Sequence, residues 1–377
     1  MKVAFFFTYG YSLKSWENSG ILQRELKILK ELSKKYKYKF TLITYGDDTE
    51  LKILNKSKEF EVIPIYSLLK ESKFKSLNLI KSFLIPFKIK KIIDTHDIIH
   101  QHQLQGAWVS ILSKLINNIP LLIRTGYDVY TFAKYDKKSK LKIYLFKLLT
   151  TYSLKFCDTY TVTSKSDFSI IKAEFNKYIK KVKIRPNFVD ILETRDILQR
   201  PHNKILSVGR LVDQKNFEKL LIEFANSNDE MIIDIVGTGE LENHILKKAK
   251  MLNVKVNLLG NLQNKELMKL YQKYKFFIST SKFEGNPKSI LEAMSAGCIV
   301  IASNIKNHKE IIENNKSGIL FDLNNPSLIN LLNQLNDDEI LCREISYNAT
   351  SSVYKNNSID NLAKNIDNDY KNLINTA

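Results

Sequence analysis

Cysteine is scarce in this chain, and that scarcity excludes several kinds of protein at once. Cys157, Cys298 and Cys342 stand far apart in 377 residues. Their number is odd and their spacing fits no metal-ligand pattern. Neither a disulfide framework nor a structural zinc site is expected, and reduced thiols in a cytosolic protein are. No apolar run approaches the roughly 20 residues of a membrane span. The opening Met-Lys-Val-Ala-Phe-Phe-Phe-Thr is too short for a signal-peptide core with its cleavage site, and reads as a first buried strand. Internal repeats and long low-complexity linkers are also lacking. What remains is an ordinary globular composition enriched in Lys, Asn and Ile. Its length suggests two domains, each able to bury its own core.

Acid is in short supply in one half only. The net charge is +18; residues 1–190 hold 35 Lys+Arg against 17 Asp+Glu, whereas residues 191–377 hold 23 of each. Two segments concentrate the excess: 70–91, with seven Lys and one Glu, and 134–155, with seven Lys and one Asp. Both interleave lysine with Phe, Leu, Ile and Tyr. They read either as basic amphipathic helices on an anionic membrane surface or as solvated lysine faces. No recognised nucleic-acid motif accompanies the charge, so nucleic acid is not an expected partner.

Short apolar strands alternate with amphipathic helices from end to end, the pattern of parallel α/β layers. The first half reads as strands at 3–8, 40–44, 61–66, 98–101, 121–125, 159–163 and 182–185, with helices over 20–35, 105–117 and 140–156. The second half restarts with strands at 204–208, 231–236, 256–259, 276–280, 299–302 and 318–321. The expected division is an N-terminal domain over 1–190 and a C-terminal domain over 204–355, with the polar stretch 191–203 as linker. Two doubly wound domains facing each other place a cleft at the carboxyl ends of both sheets.

The most informative stretch is Ser279 to Gly297. A strand runs into a loop carrying Glu284, Gly285 and Asn286; Pro287 is expected at the first helical position and Gly297 at the end. The first turn, Pro287-Lys288-Ser289, then offers unpaired N–H groups at the positive end of a helix dipole, a seat for a diphosphate. Glu292 lies five residues in, roughly 7.5 Å along the axis, with its side chain tilted back toward the helix start. A carboxylate before the helix, a phosphate seat at its start and a second carboxylate within it suit a nucleotide sugar.

With its two glutamates eight apart, this segment resembles the E-x7-E signature of retaining glycosyltransferases of family 4, which have the GT-B fold. That resemblance implies an α/β protein of two Rossmann-like domains. Glu284 would contact the donor sugar and Glu292 the ribose, with the backbone seat around Asn286, Pro287, Lys288 and Ser289. Asn286-Pro287 replace the aromatic and second Gly common after Glu-Gly. A second match, Leu206-Ser-Val-Gly-Arg-Leu-Val-Asp-Gln-Lys215, implies that Arg210 and Lys215 meet the donor diphosphate beside Gly209. Two fixed cations and a helix start stabilise a departing diphosphate without a metal. The family also implies donor contacts at Gly237, Gly239 and Asn261, although turn glycines need no ligand.

On the acceptor side the resemblance is thinner. Many relatives carry His-Gly after the strand matching 121–125; here the sequence is Arg124-Thr-Gly-Tyr-Asp128. Arg124, Tyr127 and Asp128 are therefore candidates for acceptor contacts, as is His102 of His100-Gln-His102. In the loop after the first strand the Gly-rich pattern retains only Gly10 and Gly20. Trp16 there reads equally as a sugar-stacking platform or a core aromatic. The helix of about 357–377 would pack back on the N-terminal domain, and its Asp367-Asn-Asp369 reads as a solvent face rather than a metal site.

The expected activity is metal-independent transfer of a hexose, with retention, from a UDP- or GDP-sugar to a lipid-linked or oligosaccharide acceptor in bacterial surface polysaccharide synthesis. No cofactor is expected. The expected location is cytoplasmic, peripheral at the inner membrane face if the basic segments bind lipid. The alternatives are a nucleotide-sugar epimerase on the same fold and a catalytically decayed basic membrane-surface protein.

Overall fold

In the computed structural model, the described residues are all but 55–56, 127–128, 137, 194, 226–230, 326–327, 377 and the side chain of 376. They form two compact units, Met1–Pro186 with Asp360–Ala377, and Asn187–Ile359. The first unit is built on β1 (Lys2–Phe6), β2 (Lys39–Thr44), β3 (Phe60–Pro64), β4 (Ile98–Gln101), β5 (Leu121–Arg124), β6 (Thr159–Val162) and β7 (Val182–Ile184). These form one parallel sheet in the order β3-β2-β1-β4-β5-β6-β7. In register, Val3 lies between Phe40 and Ile98. Helices cover both faces, so residues 3–6 are all buried and the strand reads as one apolar run.

The second unit repeats the plan with β8 (Lys204–Val208), β9 (Ile232–Val236), β10 (Lys255–Leu258), β11 (Phe276–Ser279), β12 (Ile299–Ser303) and β13 (Ile319–Phe321). The sheet order is β10-β9-β8-β11-β12-β13, again parallel. In each sheet the strand order reverses beside the first strand, between β1 and β4 and between β8 and β11. Loops leaving the two strands at that point diverge to opposite faces and open a crevice.

Helix faces follow the apolar spacing. In Leu22–Tyr36 the buried leucines are 22, 26, 29 and 32, and Lys37 ends the helix in the left-handed region. The last helix, Ile359–Thr376, buries Leu362, Ile366, Tyr370 and Leu373. Each such aliphatic side chain contributes on the order of 1.5–3 kcal/mol.

Four expectations are corrected. Asp367 and Asp369 are buried, not solvent-facing. Asp369 takes two hydrogen bonds from Arg185, at 2.8 and 2.7 Å, and one from Lys183 at 2.8 Å; Asp367 accepts from the Tyr38 hydroxyl at 2.5 Å. Tyr370 adds a contact from its hydroxyl to His100 Nδ1 at 2.5 Å. The helix is amphipathic, and its aspartates fall on the face that meets basic partners.

The supposed linker 191–203 is part of the second unit. Ile197 is in its core, and buried Arg200 donates to the carbonyl oxygens of Tyr274 and Ala296, at 3.1 and 2.8 Å. A guanidinium there meets the negative end of the helix that closes at Ala296. In this stretch the polar Arg200 caps a helix. The third strand stops at Pro64, because Ile65 and Tyr66 open a short helix, Ile65–Leu68. Pro287 is the N-cap of the helix Lys288–Ser295, one place before the expected position, with extended backbone at ψ 107°. Elsewhere strand ends shift by one or two residues.

Candidate active site

In the second unit β8 and β11 are neighbours, so the loops leaving their carboxyl ends meet. The β8 loop turns at Asp213–Lys215, where Asn216 adopts φ 53°. The β11 loop braces it: Thr280 Oγ1 donates to the carbonyl oxygens of Lys215 and Asn216, and the Lys282 N–H donates to Gln214 O at 2.9 Å. This crossing brings together Lys215 and Glu284.

Lys215 Nζ lies 2.5 Å from Glu284 Oε1, with side chains 16 % and 8 % exposed. Ser281 Oγ donates to the same carboxylate oxygen at 2.7 Å, and Gln214 Nε2 reaches the other at 3.3 Å. Burial alone would raise the Glu284 carboxyl; the Lys215 charge and these hydrogen bonds outweigh it and hold it below the ordinary range. The site therefore keeps a buried, ionised carboxylate. Gly209 has a steric role: a Cβ there would come within 2.8–3.2 Å of the Lys215 stem.

Sequence reasoning missed the support behind this pair. His308 is fully buried, and its Nδ1 lies 2.8 Å from Ser303 O, which places the proton on Nδ1. Its Nε2 is buried without a partner. Burial, outweighing the nearby Glu284 charge, pushes His308 down to about 4, so the ring is neutral. Asn307 Nδ2 holds Gly285 O at 2.6 Å. These residues lie in another strand's loop, and no local pattern marks them.

Arg210 is exposed and its guanidinium makes no hydrogen bond or ion pair with the described residues. The helix Lys288–Ser295 begins after Pro287 with no side-chain cap hydrogen bond. Glu292 is 3 % exposed and accepts from the Tyr271 hydroxyl at 3.2 Å. Asn286 is engaged locally: its Oδ1 accepts the Asn187 N–H at 3.0 Å and its carbonyl accepts Asn187 Nδ2 at 2.8 Å. Gly237, at φ 139°, and Gly239 face backbone, not open space. A Cβ would fall 2.0 Å from Gly209 O in one case and 2.4 Å from Leu211 O in the other. Asn261 is exposed after Gly260.

In the first unit, His102 and Arg124 stand at the ends of β4 and β5, joined by a residue not foreseen, Glu25. His102 Nε2 lies 3.7 Å from Glu25 Oε2. Burial lowers the Arg124 guanidinium, and the Glu25 charge offsets part of that. Trp16 is not a stacking platform: it is 2 % exposed and Phe7 covers its face at 4.0 Å. Gly20 is buried at φ 72° and its N–H donates to Glu17 O, ending a helix turn. Tyr127 and Asp128 lie outside the described residues. No group of three His, Cys, Asp or Glu suited to a metal occurs among the described residues, and no described helix is long and apolar enough to cross a membrane.

Comparison with known proteins agrees with this architecture. Residues 191–352 match the family model for glycosyl transferases group 1, and residues 23–164 that for glycosyl transferase 4-like proteins. An uncharacterized glycosyltransferase of Methanocaldococcus jannaschii is 30% identical over 302 residues, 74% of this chain and 76% of that protein. The UDP-Gal:alpha-D-GlcNAc-diphosphoundecaprenol alpha-1,3-galactosyltransferase of Escherichia coli is 27% identical over 316 residues, 76% and 81% of the two chains. The structure of Anabaena HepE with UDP and glucose shares the fold at a TM-score of 0.73 and 16% identity, over 99% of this chain and 100% of that one. The chain belongs to the family 4-like glycosyltransferases of the GT-B fold.

Proposed function

We infer that this glycosyltransferase moves a hexose, with retention and without a metal, from a UDP- or GDP-sugar to a lipid-linked saccharide in surface polysaccharide synthesis. The observation that carries the reading is the buried Glu284 carboxylate bound to Lys215. Glu284 takes the sugar hydroxyls. Lys215, Arg210 and the N–H groups of the first turn take the diphosphate, and Glu292 takes the ribose. The bond from the anomeric carbon to the diphosphate oxygen breaks as the acceptor oxygen attacks from the same face. The departing phosphate oxygen accepts the acceptor's proton, and the cations stabilise its charge. The Escherichia coli relative, named for a UDP-Gal donor and a diphosphoundecaprenol-linked acceptor, supports the substrate classes.

Transfer from a panel of UDP- and GDP-hexoses tests this. Glu284→Gln is expected to lower kcat at least about 100-fold while the protein still melts cooperatively; an active variant would contradict the role. EDTA is expected to leave the rate unchanged.

The protein acts peripherally at the inner face of the cytoplasmic membrane. Phe74, Ile80 and Phe87 are 72%, 67% and 63% exposed among the lysines of 70–91, and Leu141 and Tyr144 are 69% and 58% exposed in the other basic segment. Apolar side chains beside lysines favour an anionic lipid surface. Co-sedimentation with phosphatidylglycerol vesicles, lost with Phe74→Ser/Phe87→Ser, is the expected result.

A further inference from the structure

Strand order places the Glu284 loop between two others. β11 pairs with β8 on one side and β12 on the other, so the loop leaving it is flanked by the loops that follow those strands. Side chains from both neighbours hold its backbone. Ser303 Oγ, at the end of β12, donates to Ser281 O at 2.6 Å. Gln214 Nε2, in the β8 loop, donates to Phe283 O at 2.9 Å. Asn307 Nδ2, beyond β12, donates to Gly285 O at 2.6 Å. Every second carbonyl from 281 to 285 is thus tied to a neighbouring loop, and Glu284 lies within that span.

His308 completes the β12 side. Its Nδ1 donates to Ser303 O at 2.8 Å and lies 3.3 Å from Ser303 Oγ. An N–H on that side of the hydroxyl turns the Ser303 proton the other way, toward Ser281 O. An aliphatic side chain would fill the same buried space without leaving Nε2 unpartnered, but it could not donate to Ser303. Ser303, Gln214 and Asn307 are uncharged, and the His308 ring is neutral. None of them competes with Lys215 for the carboxylate.

The consequence falls on the two oxygens of Glu284. Oε1 accepts from Lys215 Nζ at 2.5 Å and from Ser281 Oγ at 2.7 Å. Among the described residues, Oε2 has Gln214 Nε2 alone, at 3.3 Å, and that amide already serves Phe283 O. A carboxylate oxygen accepts about two hydrogen bonds. Oε1 is therefore filled, and Oε2 keeps capacity for a hydroxyl donor. Lys215 spends one of its ammonium protons on Oε1 and keeps the others for a diphosphate. The pair can stay joined while each partner meets its own part of a nucleotide sugar.

We propose that Ser303, Asn307 and His308 are positioning residues for the transfer. By fixing the backbone around Glu284 they keep Oε1 on Lys215 and present Oε2 to one hydroxyl of the donor sugar. They act through the loop and not on the substrate. This rests on the glycosyltransfer reading above and adds which carboxylate oxygen meets the sugar and what holds it there.

The test uses the full chain, short-chain polyprenyl-diphosphate monosaccharides as acceptors, and the best UDP- or GDP-hexose with its monodeoxy analogues. The parent is expected to lose at least about tenfold in kcat/KM with one analogue, the one lacking the hydroxyl that Oε2 meets. Asn307→Ala and Ser303→Ala are each expected to lower kcat/KM about tenfold with the full donor, but less than about twofold with that analogue. The acceptor KM is expected to stay at the parent value. Asn307 is half-buried, so its variant carries the test if Ser303→Ala, at a fully buried position, does not fold. A merely structural role lowers the rate equally with both donors; that result, or parent rates with both, would overturn the positioning role and leave the activity standing. A parent that treats every analogue like the full donor would instead remove the sugar contact of Glu284. No transfer from any UDP- or GDP-hexose would count against the glycosyltransfer reading itself.

Discussion

The two units share a sheet plan but arrange their charge in opposite ways. In the second, Glu284 and Lys215 are 69 positions apart yet touch, because each follows a strand whose neighbour carries the other. Charge there is paired, buried and cross-braced by backbone contacts. In the first, Glu25 lies within a helix while His102 and Arg124 end two strands, and the contact is looser, 3.7 Å for the histidine. The lysine excess lies on the surface of this unit, beside exposed Phe and Leu. One unit has a buried charge pair set by adjacent loops; the other has a broad basic surface.

Charge-neutral substitutions on either side sharpen that contrast. Glu284→Gln, which removes a buried partner of Lys215, is expected to cost the most, about 100-fold or more in kcat. Glu25→Gln, acting on a more loosely joined cluster, is expected to cost about tenfold or less, roughly 1.4 kcal/mol. Equal losses would erase the distinction.

Next in size is Asp369→Asn. It leaves Arg185 and Lys183 facing a neutral amide in a site where the carboxylate is 1% exposed. Removing one partner of a buried pair costs about 3 kcal/mol. Hydrogen exchange should show the loss as reduced protection in the helix Ile359–Thr376, with helices of the second unit unaffected. A uniform loss across both units would break the comparison.

The smallest effect concerns pH. His308 titrates at about 4 in the fold against an ordinary 6.5, so the fold favours its neutral form. That contribution is complete above about pH 6.5 and is lost as pH falls toward 4. His308→Asn, which keeps a donor for Ser303 O, is expected to flatten the fall in thermal midpoint between pH 6.5 and 4. An unchanged slope would remove His308 from the account.

Much of the local layout of the candidate site was legible in the chain because its parts are contiguous. Strand, loop and helix start are contiguous from Phe276 to Gly297, and Gly209, Arg210 and Lys215 sit in one turn. The misreadings share a cause. Asp367 and Asp369 read as solvent-facing, Trp16 as equally a platform or a core aromatic, and 191–203 as a linker because each was judged by residue type without its packing partner. Arg185, Phe7 and the carbonyl of Ala296 supply that partner; the first and last lie in segments remote from the residue they meet, and Phe7 directly follows β1.

Periodicity and apolar runs by themselves determined two parallel α/β layers, since strands buried on both faces need continuous apolar residues and helices need one apolar stripe. They also determined where the loop glutamate and the helix start fall. Only the tertiary structure decided that Glu284 meets Lys215 and that His308 stands neutral nearby. Those contacts depend on which strands lie side by side, and side-chain order along the chain carries no record of that until the sheet is formed.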